Sequence, residues 1–136
     1  MGEVVNGTVP RPGAVELVDG LRGRVPIGLA SNSPRALVEA TLNVTGFDGA
    51  FAVVLGVDDV ERPKPDAEIY LAACEPLGAR PSDSVALEDS PTGVAAARAA
   101  GIYVIGVPSY EGVELDADEV AESLAHPSIQ KAIAAR

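Results

Sequence analysis

Three short polar clusters hold the side chains best suited to chemistry: Ser31-Asn32-Ser33, Lys64 within Arg62-Pro63-Lys64-Pro65-Asp66, and Glu88-Asp89-Ser90. The hydroxyl of Ser31 and the backbone N–H groups that follow it, beginning at Asn32, can donate to phosphate oxygens. Lys64 brings a compact positive charge suited to a phosphoryl group in transfer. Asp89 is a hard oxygen ligand of the kind magnesium takes, an ion that keeps one or two protein carboxylates and fills its other positions with water and phosphate oxygens. Glu88 is either a second ligand or the group that orients a bound water. Together these residues suit phosphoryl transfer with Mg²⁺, provided the fold brings them to one place. Taken singly, each has a duller use: a serine that closes a turn, a solvated lysine, acids that cap the next helix.

The elements that would position them are legible as apolar runs. Residues 25–30, 50–55, 84–87 and 102–107 read as buried strands. Helical patterns separate them. Ala14, Leu17, Val18 and Leu21 recur on one face, and Ser33-Pro34 starts a helix that Gly46 stops. Ile69, Ala72 and Ala73 mark another, which Pro76 should end or kink early. Residues 92–100 form an alanine-rich helix closed by Gly101. The tail reads as short helices over 118–124 and 128–135. Strands alternating with helices predict a parallel sheet covered on both faces. Ligands of such sheets sit at the carboxyl ends of the strands, and each polar cluster follows a strand. The positive end of the helix after Pro91 would face the same cleft.

Composition narrows the partners. Aromatic residues make up 4% of the 136, so the core is aliphatic and few rings are on offer for stacking bases. A net charge of −10 repels a phosphate backbone, which argues against nucleic acid. A small phosphorylated metabolite remains compatible, since a metal ion and one lysine can reverse the field inside a cleft. One cysteine, Cys74, allows no internal disulfide. No stretch resembles a secretory signal or a membrane span, so a cytoplasmic setting is expected.

The run from Leu87 to Gly101, beginning Leu87-Glu88-Asp89-Ser90-Pro91-Thr92-Gly93, resembles the fourth motif of haloacid-dehalogenase-like (HAD) hydrolases, in particular the β-phosphoglucomutase and phosphoglycolate-phosphatase branch. Lys64-Pro65-Asp66-Ala67-Glu68-Ile69-Tyr70-Leu71 resembles that branch's third motif, with Ala67 where a second proline is common. Leu29-Ala30-Ser31-Asn32-Ser33-Pro34 resembles the second. The resemblance spans about residues 12–124. It implies a Rossmann-like three-layer core, Mg²⁺ and an aspartyl-phosphate intermediate, with Ser31 and Lys64 holding phosphate and Asp89 binding metal.

The same resemblance exposes what these residues lack. The family's first motif, Asp-x-Asp-Gly-Thr, supplies the nucleophile and the general acid from the end of the central strand, and a cap domain usually precedes the second motif. Here Ser31 is reached after 30 residues. Val4-Val5-Asn6-Gly7-Thr8 matches the Gly-Thr end in register, but valine cannot attack phosphorus and an amide cannot shuttle the proton. Residues 1–11 are either this degenerate motif or a turn built on Asn-Gly. Asp116-Ala117-Asp118 reads as a solvated loop.

The expectation is one domain over 1–136: an N-terminal segment 1–11, an incomplete core over 12–110 without its usual central strand, and a helical tail over 111–136, with no cap domain. It is either part of a HAD phosphatase or phosphomutase, inactive alone, or a non-catalytic domain binding Mg²⁺, phosphate or protein. A receiver domain fits poorly, because its acidic residues should precede the hydroxyl and the lysine. The missing strand predicts a second chain, a copy or a complementing one, covering the exposed edges. Closure of the two flanking strands on each other, or a substitute strand from residues 3–9, would do the same. Asp58 and Asp59 read as loop charges, Arg62 as surface, Cys74 as buried and inert, His126 as non-catalytic, and Tyr110 as bordering the cleft.

Overall fold

The computed structural model describes residues 13–47, 49–108 and 112–135, and the backbone alone of residues 5–6 and 9–10. Strands β1 (Val5–Asn6) and β2 (Val9–Pro10) pair antiparallel with each other. Helix α1 (Ala14–Leu21) follows, then β3 (Gly28–Ala30), α2 (Arg35–Thr45) and β4 (Val53–Leu55). After α3 (Glu68–Leu77) come β5 (Val85–Glu88), α4 (Pro91–Ala99), β6 (Tyr103–Gly106), β7 (Glu119–Val120) and α5 (Pro127–Ala134).

Strand β3 runs parallel to β4, with Leu29 opposite Val54, and β5, β6 and β7 form a second parallel set, with Leu87 opposite Ile105. Among the described residues β3 and β5 do not pair, and neither β1 nor β2 pairs with them. The two sets nevertheless share both cores. Leu29 and Leu87 point to one face, where α1, α2 and α5 contribute Leu17, Val18, Val38, Leu42 and Ile129. Ala30 and Ala86 point to the other, against Ile69, Tyr70 and Cys74 of α3 and Val94, Ala96 and Ala97 of α4. Helices on both faces explain why every residue of β3 and β5 is buried. The architecture is α/β, with three layers and parallel strands in the middle one.

Helix α4 follows the composition closely. Ser90 caps it by accepting the Gly93 N–H, Pro91 opens it, and Ala96 and Ala97 are fully buried, so the backbone lies close to the strands. Helix α1 buries Ala14, Leu17, Val18 and Leu21, the face its spacing predicts.

Three local expectations fail for physical reasons. Pro76 does not end α3 at once: although it has no N–H to give to Ala72 O, the helix runs one residue past it to Leu77 and stops at Gly78 in the left-handed conformation. Ser33 does not cap α2: the Arg35 N–H is taken by Asp58 Oδ1 at 2.8 Å, from 23 residues away. The tail is not helical over 118–124. Its backbone pairs sideways with β6, the Asp118 N–H donating to Val104 O at 3.0 Å and the Ala121 N–H to Gly106 O at 2.9 Å, and residues 119–120 become β7. The expected helix at 128–135 is present as α5.

Candidate active site

The polar clusters meet at the carboxyl ends of β3 and β5. Ser31 directly follows β3, is 1% exposed, and extends the ladder by donating its N–H to Leu55 O. Its Oγ accepts the Ser33 N–H at 3.0 Å, which turns the chain sharply there. Gly56, after β4, packs so closely on this turn that a side chain would meet the Ser33 carbonyl at 2.8 Å.

Lys64 reaches inward from the loop between β4 and α3. Its ammonium donates to Ala30 O at 2.9 Å and to Glu88 Oε2 at 2.7 Å, and so bridges the ends of β3 and β5, two strands that do not pair with each other among the described residues. Both side chains are buried, at 6% and 3% exposure. A buried pair of this kind persists only with good geometry and further hydrogen bonds, and Glu88 Oε2 has one: the Tyr70 hydroxyl donates to it. The Lys64 Nζ also lies 5.3 Å from the centre of the Tyr70 ring. Gly93 leaves the space that the Glu88 carboxylate fills.

Asn32, expected at the phosphate, has both ends of its amide on the backbone of Lys64. Asp89 follows Glu88 at the same edge and is half-buried. Ser31, Asn32, Lys64 and Glu88 are thus drawn into one connected cluster, with Asp89 beside it.

The loop that carries Lys64 is pinned from outside. Glu68 accepts the Glu61 N–H at 2.8 Å and the Arg62 guanidinium at 3.2 Å. The Glu61 N–H, ahead of Arg62, holds the Glu68 carboxyl below the usual carboxylate range. Asp59 pairs with Arg35 and accepts the Gly56 N–H, so with Asp58 it serves the loop and the start of α2. Arg62 is exposed, Cys74 is buried in α3, and the His126 ring caps α5. Tyr110 and the side chains of residues 1–11 lie outside the described residues.

Sequence reasoning gave Tyr70 and Gly93 no role. One signal was available for Tyr70: it is one of three tyrosines in an aromatic-poor chain, on a helix whose other buried positions are Ile69, Ala73 and Cys74. No pattern marked Gly93, because its neighbour is set by tertiary packing.

The family model of haloacid dehalogenase-like hydrolases matches residues 2–101. The chain belongs to this family. It is 38% identical over 112 residues to the validoxylamine A 7'-phosphate phosphatase of Streptomyces hygroscopicus subsp. limoneus, covering 82% of this chain and 51% of that one. It is 32% identical over 108 residues to the phosphoglycolate phosphatase of Escherichia coli K12, covering 78% and 43%. The crystal structure of CbbY from Rhodobacter sphaeroides in complex with phosphate superposes with a TM-score of 0.81 at 30% identity, covering 87% of this chain and 56% of that one. These likenesses fix the Rossmann-like HAD fold and the phosphatase branch. The chain spans about half the length of the curated relatives it matches. Among the described residues no helix is long and apolar enough to cross a membrane.

Proposed function

We propose that this chain is the phosphate-holding part of a HAD phosphatase or phosphomutase that acts on a small phosphorylated metabolite, and that it does not turn over substrate alone. The observation that carries this reading is the Lys64 ammonium, buried and aimed by Ala30 O and Glu88 beside Ser31 at the carboxyl edge. An ammonium has three donors, and the contacts described above take two. The third, with the Ser31 hydroxyl and the backbone N–H groups of the following turn, suits the oxygens of a phosphoryl group. Asn32 contributes its backbone to that cradle, while its side chain keeps Lys64 in place.

The carboxylates fit a magnesium ion held mostly by water and phosphate. Among the described residues no three His, Cys, Asp or Glu side chains cluster to hold a metal by themselves. Asp89 is the direct ligand in this reading. Glu88, with Oε2 engaged, acts on the ion through its remaining oxygen or through water. The ion would neutralise charge on the phosphoryl oxygens.

Neither reading of residues 1–11 supplies a nucleophile: as a degenerate first motif they carry Val4 and Asn6 in place of the family's two aspartates, and as a turn they carry no such motif. Positioning and charge stabilisation therefore act on an attack that no group here delivers. Hydrolysis of p-nitrophenyl phosphate should stay at background. Turnover that disappears in Ser31→Ala, Lys64→Met and Asp89→Ala would overturn the reading.

A further inference from the structure

Tyr70 takes no part in the chemistry above, yet it is the largest fully buried side chain among the described residues. A buried phenol must place its hydroxyl on some acceptor. This one donates to Glu88 Oε2, the oxygen that also receives the Lys64 ammonium. The donors come from two segments, α3 and the loop before it, and converge on one atom of β5.

That convergence matters because of how a glutamate turns. Its last torsion is broad and roughly two-fold, so rotamer sterics leave the carboxylate plane undetermined and hydrogen bonds must set it. Two donors on one oxygen set it here, and Gly93 packs against the other side of the group. The lysine has the same weakness, a point charge on a flexible four-carbon stem. Its ammonium is oriented by Ala30 O and Glu88 Oε2, so the direction of its third N–H is only as well defined as the Glu88 plane.

We infer that Tyr70 is a positioning residue: its hydroxyl fixes the carboxylate plane of Glu88 and, through Glu88, aims the ammonium of Lys64 into the cleft at the carboxyl edge. The purpose of that aim rests on the phosphate reading given above; the coupling itself does not.

The chain has two lysines, Lys64 and Lys131, so ¹⁵N-lysine labelling yields two ammonium signals. In the parent chain the Lys64 signal should exchange slowly with water, while Lys131, exposed on α5, exchanges fast. Tyr70→Phe keeps the ring and deletes only the hydroxyl. Exchange of the Lys64 ammonium should rise by about tenfold or more, the weight of one hydrogen bond to a charged group. Tyr103→Phe deletes a phenol that donates to Glu119 away from the site and should leave the Lys64 signal where it was. An unchanged Lys64 signal in Tyr70→Phe overturns the inference, however far the melting temperature falls, and so does an equal change in Tyr103→Phe. Should Tyr70→Phe not fold, the parent decides: a slowly exchanging Tyr70 hydroxyl proton with a cross-peak to the Lys64 ammonium supports the coupling, and a hydroxyl exchanging like a free phenol overturns it. A titration with inorganic phosphate keeps the two readings apart. If the parent's Ser31 and Asn32 amides do not respond, the phosphate reading fails while the ammonium signal still judges Tyr70.

Discussion

Asn32 grips Lys64 by its backbone. The Lys64 N–H donates to Asn32 Oδ1 at 3.0 Å, and Asn32 Nδ2 donates to the Lys64 carbonyl at 3.3 Å, across 32 residues of chain. The side-chain amide acts as one rung of a ladder between the loop after β3 and the loop after β4. Asn32→Ala removes both bonds and leaves two polar backbone groups part-buried. It should cost about 1–3 kcal/mol in denaturant unfolding and weaken any phosphate response at Ser31. Asn32→Ala with parental stability and an unaltered phosphate response would show that the loops hold their places without the rung.

Gly93 sets two rules against each other. It lies inside α4, where glycine is about 0.5–1 kcal/mol worse than alanine, so helix propensity alone predicts that Gly93→Ala stabilises. A β-carbon there would fall inside the Glu88 carboxylate. Glu88 would have to swing away from Lys64 and Tyr70, and breaking a buried ion pair costs about 3–5 kcal/mol. The clash should win by a wide margin, and urea unfolding gives the sign. A variant as stable as the parent would mean that the Glu88 carboxylate is not seated against α4.

Fold class and the meeting of the three clusters were legible because both depend on pattern: buried strands alternating with helices, and polar residues following each strand. The partners of each side chain were not. Whether the Lys64 ammonium meets phosphate, carboxylate or carbonyl depends on Ala30 and Glu88, 34 and 24 residues away. The tail failed for a related reason. Residues 118–124 carry a helix-like spacing, but the Asp118 carboxylate accepts the Val104 N–H at 2.8 Å and pairs with Arg98, which ties the chain beside β6. A short period in the sequence cannot weigh such long-range bonds.

Asp89 is the test of the metal reading. It should bind Mg²⁺ weakly, because this edge offers one half-buried carboxylate and a second whose Oε2 is already engaged. Calorimetry should show small binding heats for the parent that vanish in Asp89→Ala, while the fold survives because Ser90, not Asp89, caps α4. Equal heats in both chains would remove Asp89 from the metal site.

The open edges of β3 and β5 lead to the last prediction. In a parallel ladder, successive residues turn their backbone groups to opposite sides. Ile27 O and Ser31 N bond toward β4, so Gly28 and Ala30 face the other way; the Glu88 carbonyl bonds toward β6, so Val85 and Leu87 face away from it. Four buried residues thus turn their backbones toward the gap between β3 and β5, where among the described contacts only Ala30 O finds a partner, the Lys64 ammonium. At about 1–3 kcal/mol for each buried unpaired group, such edges would consume much of the about 5–15 kcal/mol that stabilises a domain. The described strands do not close on each other, and β1 and β2 pair only together. A strand from a second chain, parallel to both edges, would satisfy the remaining groups. Sedimentation over a concentration series should therefore show self-association, with the amides of Ala30 and Leu87 protected from hydrogen exchange in the associated form. A well-folded monomer at every concentration would rule this out and would mean that the edges are satisfied within one chain.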